Sequence, residues 1–179
     1  KNRKIEWYCF PEQGIGLSRN NALMRASGDI LLFADDDVVY TDDYSQKIKE
    51  EFERCPQADI ILFNVESTDP QRIEYQNRRF HKLHIFNSLR YGTVRMAVKR
   101  EQLLKKNIAF SLLFGGGTTY GSGEDTLFLV ESLKKGLKLY ASPVLIGKTN
   151  QRGSTWFSGY HEKYFHDKGA LFAGISSGF

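Results

Sequence analysis

Cysteine is scarce: the 179 residues contain two, Cys9 and Cys55, without C-x-x-C spacing. Neither a disulfide framework nor a cysteine-rich zinc site is implied, and a reducing, cytoplasmic setting is the expected one. Long apolar runs are lacking too. None approaches the roughly 20 residues that cross a bilayer, and no charged-then-apolar leader opens the chain, so the expectation is a soluble protein. Basic residues never form a block longer than three, and 25 basic against 21 acidic residues leave a net charge of +4. That charge is too mild and too dispersed for a nucleic-acid partner, though it suits an anionic small substrate or loose contact with acidic lipid headgroups. No G-x-x-x-x-G-K-[ST] loop occurs, which argues against a phosphoryl-transfer enzyme. With no internal repeat, low-complexity tract or linker, residues 1–179 read as one domain, and 41% hydrophobic content supplies a sizeable core.

What is present alternates between strand and helix signals. Residues 5–10 (IEWYCF) predict a short strand. Ser18 predicts a helix cap, with Ala22, Leu23 and Ala26 facing inward and Gly28 closing the helix. The run 30–34 is apolar on both faces, as in a strand buried under helices. Thr41 opens a helix with Tyr44, Ile48 and Phe52 on one face. Residues 60–65 (IILFNV) repeat the buried-strand pattern, and 72–98 mixes strands with a short helix. Further helices are expected at 100–106 and 124–135, the latter ended by Gly136. A last strand covers 137–146, a polar loop 147–158, and an aromatic helix or tail closes the chain. Interleaving of this kind indicates an α/β domain with a mainly parallel sheet flanked by helices.

The stretch GDILLFADDD (28–37) runs five apolar residues into Asp35, Asp36 and Asp37. In open α/β sheets, ligands collect beyond the carboxyl ends of strands, where this triplet falls. On extended backbone Asp35 and Asp37 share a side and Asp36 opposes them. A D-x-D pair suits Mg²⁺ or Mn²⁺, which fills its remaining positions with water and phosphate oxygens. The competing reading is a polar turn whose aspartates bond locally to backbone. A second acidic pair, Glu124 and Asp125, follows the glycine-laden loop 115–123. Here too a structural reading competes, because Ser122 and Asp125 have the spacing of a capping box.

Taken together, three segments resemble family 2 glycosyltransferases of the GT-A fold. GIGLSRNNALMRASGDILLFADDD (14–37) is similar to the family's Ser-Arg-Asn helix, strand and D-x-D. GSGEDTLFLVESLKKGLKLY (121–140) is similar to its Glu-Asp helix, and STWFSGYHEKYFHDKGALF (154–172) to the tail of bacterial polysaccharide-assembling members. The resemblance implies metal ligation by Asp35 and Asp37, contacts to the nucleotide-sugar from Arg19, Asp35, Asp36 and Glu124, and Asp125 as catalytic base. It implies inverting transfer from a nucleoside-diphosphate sugar to a saccharide or lipid-linked saccharide hydroxyl. Peripheral association at the inner face of the plasma membrane and a homo-oligomer are compatible with it.

The family's opening strand and nucleotide-base-binding units have no counterpart here, so the resemblance implies a domain incomplete at its N-terminus, with one sheet edge open. A non-catalytic sugar- or partner-binding module is the alternative it leaves. The Gln-x-x-Arg-Trp motif of processive members is also lacking. Arg152, Lys163 and Lys168 could cover a diphosphate or merely be solvated, and Trp156, Phe157, Tyr160, Tyr164 and Phe165 could stack on sugars or dock the tail. His81, His84, His161 and His166 read as surface imidazoles rather than metal ligands.

Overall fold

The computed structural model describes residues 4–70, 74–150 and 159–177. In chain order these form α1 (Ile15–Arg25), β1 (Ile30–Leu32), β2 (Val38–Tyr40), α2 (Tyr44–Arg54), β3 (Ile60–Ser67), β4 (His81–Lys82) and α3 (Ile85–Ser88). A 3-10 turn (Thr93–Arg95) leads to β5 (Met96–Lys99), α4 (Arg100–Lys105), α5 (Glu124–Lys134), β6 (Leu139–Thr149) and α6 (Glu162–Ser177).

β3 organises the interior. Successive side chains on a strand point to opposite faces, so its apolar run serves two cores at once. Ile60 and Leu62 join Phe33, Met96, Val98, Phe110, Phe128 and Leu129 on the α5 side. Ile61, Phe63 and Val65 join Ile48, Phe52, Ala97 and Ile146 on the α2 side. Each such buried side chain contributes roughly 1.5–3 kcal/mol. Helix α2 buries Ile48 and Phe52, one turn apart, as their spacing predicted.

The sheet is mixed rather than mainly parallel. Its strand order is β1-β5-β3-β6-β2, with β4 also on β6. Only the β3–β6 pair is parallel among the described residues; β1–β5, β3–β5, β2–β6 and β4–β6 are antiparallel. An apolar run covered on both faces looks the same whichever way its neighbours run, so the run alone does not give strand direction. The β3–β6 register shifts on either side of Asn64. There β6 carries Pro143, which has no N–H to give, and the Asn64 amide donates to the carbonyls of Asn77 and Pro143.

Three other expectations fail locally. Residues 5–10 are not a strand but lie exposed, Ile5 and Trp7 at 89%; no strand pairs the free edge of β1 among the described residues. For the same reason β1 is only partly buried, and it ends at Leu32. Helix α1 begins before Ser18, with Gly14 as N-cap, and Ala22 faces solvent while Gly16 is its buried residue.

Candidate active site

Asp35 to Asp37 lie on the connection that carries the chain from β1 to β2, strands at opposite ends of the sheet order. The connection turns tightly: the Val38 N–H donates to the Asp35 carbonyl (3.4 Å), and the Asn150 N–H donates to the Asp37 carbonyl (2.9 Å). Tyr40 braces it from β2, its hydroxyl donating to the Phe33 carbonyl at 3.3 Å. Burial first, and then the negative charge of Asp35, push the Tyr40 phenol up, so it stays a neutral donor.

The second acidic pair opens α5. Its N-cap is Gly123 in the left-handed region, and no side-chain cap forms, so the capping box read from Ser122 and Asp125 is absent. Both carboxylates are therefore left for other partners. Burial of Leu127, Phe128, Leu129 and Val130 holds the helix in place instead.

Arg19 connects the two clusters. One guanidinium nitrogen donates to Glu124 Oε1 at 2.8 Å, and the other lies 3.4 Å from Asp35 Oδ1. Its side chain is 12% exposed, that of Glu124 11% and that of Asp35 38%. The planar fork of arginine can serve two carboxylates at once, whereas a lysine ammonium is a single point charge. The guanidinium also lies over the Phe110 ring, 5.4 Å from its centre. Helix α1 is fixed so that this reach is met: Asn20 exchanges two hydrogen bonds with the Phe110 backbone (2.9 and 2.7 Å), and the Ile15 N–H donates to the Gly116 carbonyl (3.0 Å).

The glycine loop allows the close approach. Gly115 has φ +104°, and a Cβ there would lie 2.5 Å from Ile15 Cγ2 and 2.9 Å from the Glu124 carboxylate. Gly115→Ala is therefore expected to destabilise the fold by about 1–3 kcal/mol and to weaken any function needing the Arg19–Glu124 pair. Chemical denaturation of the two proteins checks it.

Asp125 is the perturbed acid of the set. Burial pushes its carboxyl up to about 6, the adjacent Glu124 charge adds to this, and the Thr126 N–H and Arg19 oppose it. Its Oδ1 accepts the Thr126 N–H at 2.9 Å. Its Oδ2 faces Gly92, where a Cβ would come within 3.3 Å. A carboxylate held this way can take a proton near neutral pH. Asp37 differs: its Oδ1 is buried with no hydrogen-bond partner among the described residues, an acceptor open to a cation. Asp36 is exposed.

Among the described residues, no three His, Cys, Asp or Glu side chains group to hold a metal ion. His166 stands over Tyr120 and 3.6 Å from Asp167. Lys163 pairs with Asp167 (2.7 Å) and donates to the Thr119 carbonyl (3.2 Å); Lys168 lies over the Tyr164 ring. Tyr160, Tyr164 and Phe165 pack on one another. Arg152, Trp156 and Phe157 fall outside the described residues. A cavity of about 300 Å³ lies behind α5, bounded by Phe110, Leu127, Val130, Lys134 and Gly174. Of the acids considered for the site, Asp35, Asp36, Asp37, Glu124 and Asp125, none lines it. Sequence reasoning passed over Asn20, Tyr40, Gly92 and Asp167, whose partners are set by tertiary contact rather than by a local pattern.

Residues 2–137 match the sequence model described as Glycosyl transferase family 2. No curated protein matches. Among solved structures, the chain is similar to S. aureus TarS 1–349 in complex with UDP-GlcNAc: TM-score 0.70 at 17% identity, covering 92% of this chain and 47% of that one. It is similar to another structure of S. aureus TarS, TM-score 0.66 at 15% identity, covering 90% of this chain and 27% of that one. A mycobacterial protein gives TM-score 0.51 at 15% identity, covering 83% and 47%. The chain thus spans less than half the length of these structures, and at such identities the likeness is one of fold.

Proposed function

The chain belongs to glycosyl transferase family 2, and on that basis we propose that it is an inverting, metal-dependent enzyme that moves a sugar from a nucleoside diphosphate to an acceptor hydroxyl. The observation that carries this reading is the Arg19 bridge, which brings the Asp35 and Glu124 carboxylates, 89 residues apart by their numbers, into one site.

Members of this family typically use a divalent metal, and the residues here fit Mg²⁺ or Mn²⁺: the unpartnered Oδ1 of Asp37 is a buried acceptor, and Asp35 stands two residues away on the same turn. When bound, such an ion neutralises charge building on the departing diphosphate. Asp35 and Asp37 would hold it, with substrate phosphates and water completing its shell. Asp36 and Arg19 border the nucleotide, and Arg19 holds the Glu124 carboxylate beside the donor sugar. Asp125 takes the acceptor proton as the hydroxyl attacks the anomeric carbon, the C–O bond to the diphosphate breaking on the opposite side. A single base facing a single leaving group gives inversion.

TarS has been captured with UDP-GlcNAc, so UDP-GlcNAc is the first donor to try. A saccharide or lipid-linked saccharide acceptor, in surface-polysaccharide assembly at the cytoplasmic face of the membrane, is the matching proposal for the other substrate. No helix among the described residues is long and apolar enough to cross a membrane.

Titration with Mn²⁺ and UDP tests the metal assignment. Asp37→Asn is expected to weaken Mn²⁺-dependent UDP binding about tenfold or more, since it removes a charged oxygen ligand. Equal binding by the parent and the variant sinks the assignment. Tight Mn²⁺–UDP binding by a parent that turns over no nucleotide-sugar would favour the non-catalytic module.

A further inference from the structure

Asp167 is a buried acid that the proposed chemistry does not use. It sits on α6, 9% exposed, 42 positions beyond Asp125. Its Oδ2 accepts the Gly121 N–H at 3.0 Å and the Lys163 ammonium at 2.7 Å. Lys163 in turn donates to the Thr119 carbonyl at 3.2 Å. One helical turn on, Leu171 closes over Gly123, where a Cβ would lie 2.9 Å from its Cδ1. Gly123, with φ +118°, caps α5 immediately before Glu124 and Asp125.

Two grips one turn apart on α6 therefore hold residues 119–123. That stretch contains Gly121 and Gly123, and glycine is the residue freest to wander. The aim of the first turn of α5 is set by whatever fixes this loop. A carboxylate accepting a backbone N–H makes a strong, directional anchor of that kind.

We propose that Asp167 is a positioning residue for the base: through Gly121 and the Gly123 cap it holds Asp125 in line with the acceptor hydroxyl. The proposal rests on reading Asp125 as the base, and Asp167 itself touches no reacting atom. Burial alone would raise its carboxyl, but the Lys163 ammonium and the Gly121 N–H outweigh this and hold it below the usual carboxylate range. Asp167 thus stays ionised while Asp125 titrates, and acts as a fixed strut rather than a switch.

The test compares Asp167→Ala and Asp167→Asn in the full-length protein, using UDP-GlcNAc with Mn²⁺ and backbone hydrogen exchange. Asp167→Ala is expected to lower kcat about tenfold or more while leaving the donor KM within about threefold, because misaiming a catalytic group costs rate rather than binding. Amides of residues 119–126 should exchange faster while those of β3 do not. Asp167→Asn keeps an oxygen for the Gly121 N–H and should recover most of the rate. Unchanged kcat and exchange in Asp167→Ala overturns the proposal, as does faster exchange spread evenly over the sheet, the mark of a merely structural residue. Should the parent turn over no nucleotide-sugar, the functional reading fails. The exchange pattern then decides by itself whether Asp167 positions the start of α5.

Discussion

Asp125→Asn is expected to lower transfer by roughly 10²–10⁴-fold, the usual worth of a general base, while Mn²⁺–UDP binding persists. The same residue sets the pH dependence. A base must be ionised to work, and burial with the Glu124 charge raises the Asp125 carboxyl to about 6. The ratio kcat/KM, which reports the free enzyme's groups, should therefore climb as pH rises through about 6 and level off above it. Stability should move the other way. A carboxyl whose folded value is raised binds its proton more tightly folded than unfolded, so ionising it between about 4 and 6 erodes stability as pH rises. Asparagine cannot ionise, and the variant should be at least as stable as the parent above pH 6. Loss of rate with no loss of melting temperature at pH 7.5 would separate chemistry from folding. An active Asp125→Asn removes this aspartate from the base role.

Arg19→Met is expected to have the largest effect on stability. It leaves Glu124, 8% exposed, without its cationic partner, and breaking a buried pair from one side costs about 3–5 kcal/mol. Asp35, more open to water, loses less. Arg19 also opposes the upward push on Asp125, so in whatever fraction folds, the acid limb of the rate profile should shift to higher pH. Arg19→Lys should rescue little, because one ammonium cannot reproduce the forked contact with Glu124 and Asp35. Urea denaturation of the three proteins, with pH–rate profiles of the folded ones, checks both parts. A change within about 0.5 kcal/mol, the range of an inert surface substitution, would show that the bridge carries no energy.

Elements whose signal is local were readable before any coordinates. The repeat of Tyr44, Ile48 and Phe52 marked α2, and the run 60–65 marked β3, because amphipathic period and continuous burial are written into neighbouring positions. Gly136 stopped α5 as expected, its φ of +86° being a glycine conformation. Strand direction was not readable, since β5 inserts antiparallel between β1 and β3 by a choice of topology. The strand expected at 5–10 has the right composition but no sheet neighbour among the described residues. At the site, the acidic clusters and Arg19 stood out as motifs. That Arg19 reaches Glu124 across 105 positions is a tertiary fact, as is the hold of Asp167 on Gly121. The absent Ser122 cap matters for the same reason. A local pattern with a bland explanation makes no cap bond, which leaves Glu124 to Arg19 and Asp125 to the Thr126 N–H and the space beside Gly92.

The most direct test is a crystal structure of the Asp125→Asn protein with Mn²⁺ and intact UDP-GlcNAc. The account predicts Mn²⁺ on Asp37 Oδ1 against the diphosphate, with the face of the anomeric carbon opposite the diphosphate turned toward position 125. Mn²⁺ bound away from Asp37, or a sugar lying beyond Arg19 with that face out of reach of position 125, would contradict it.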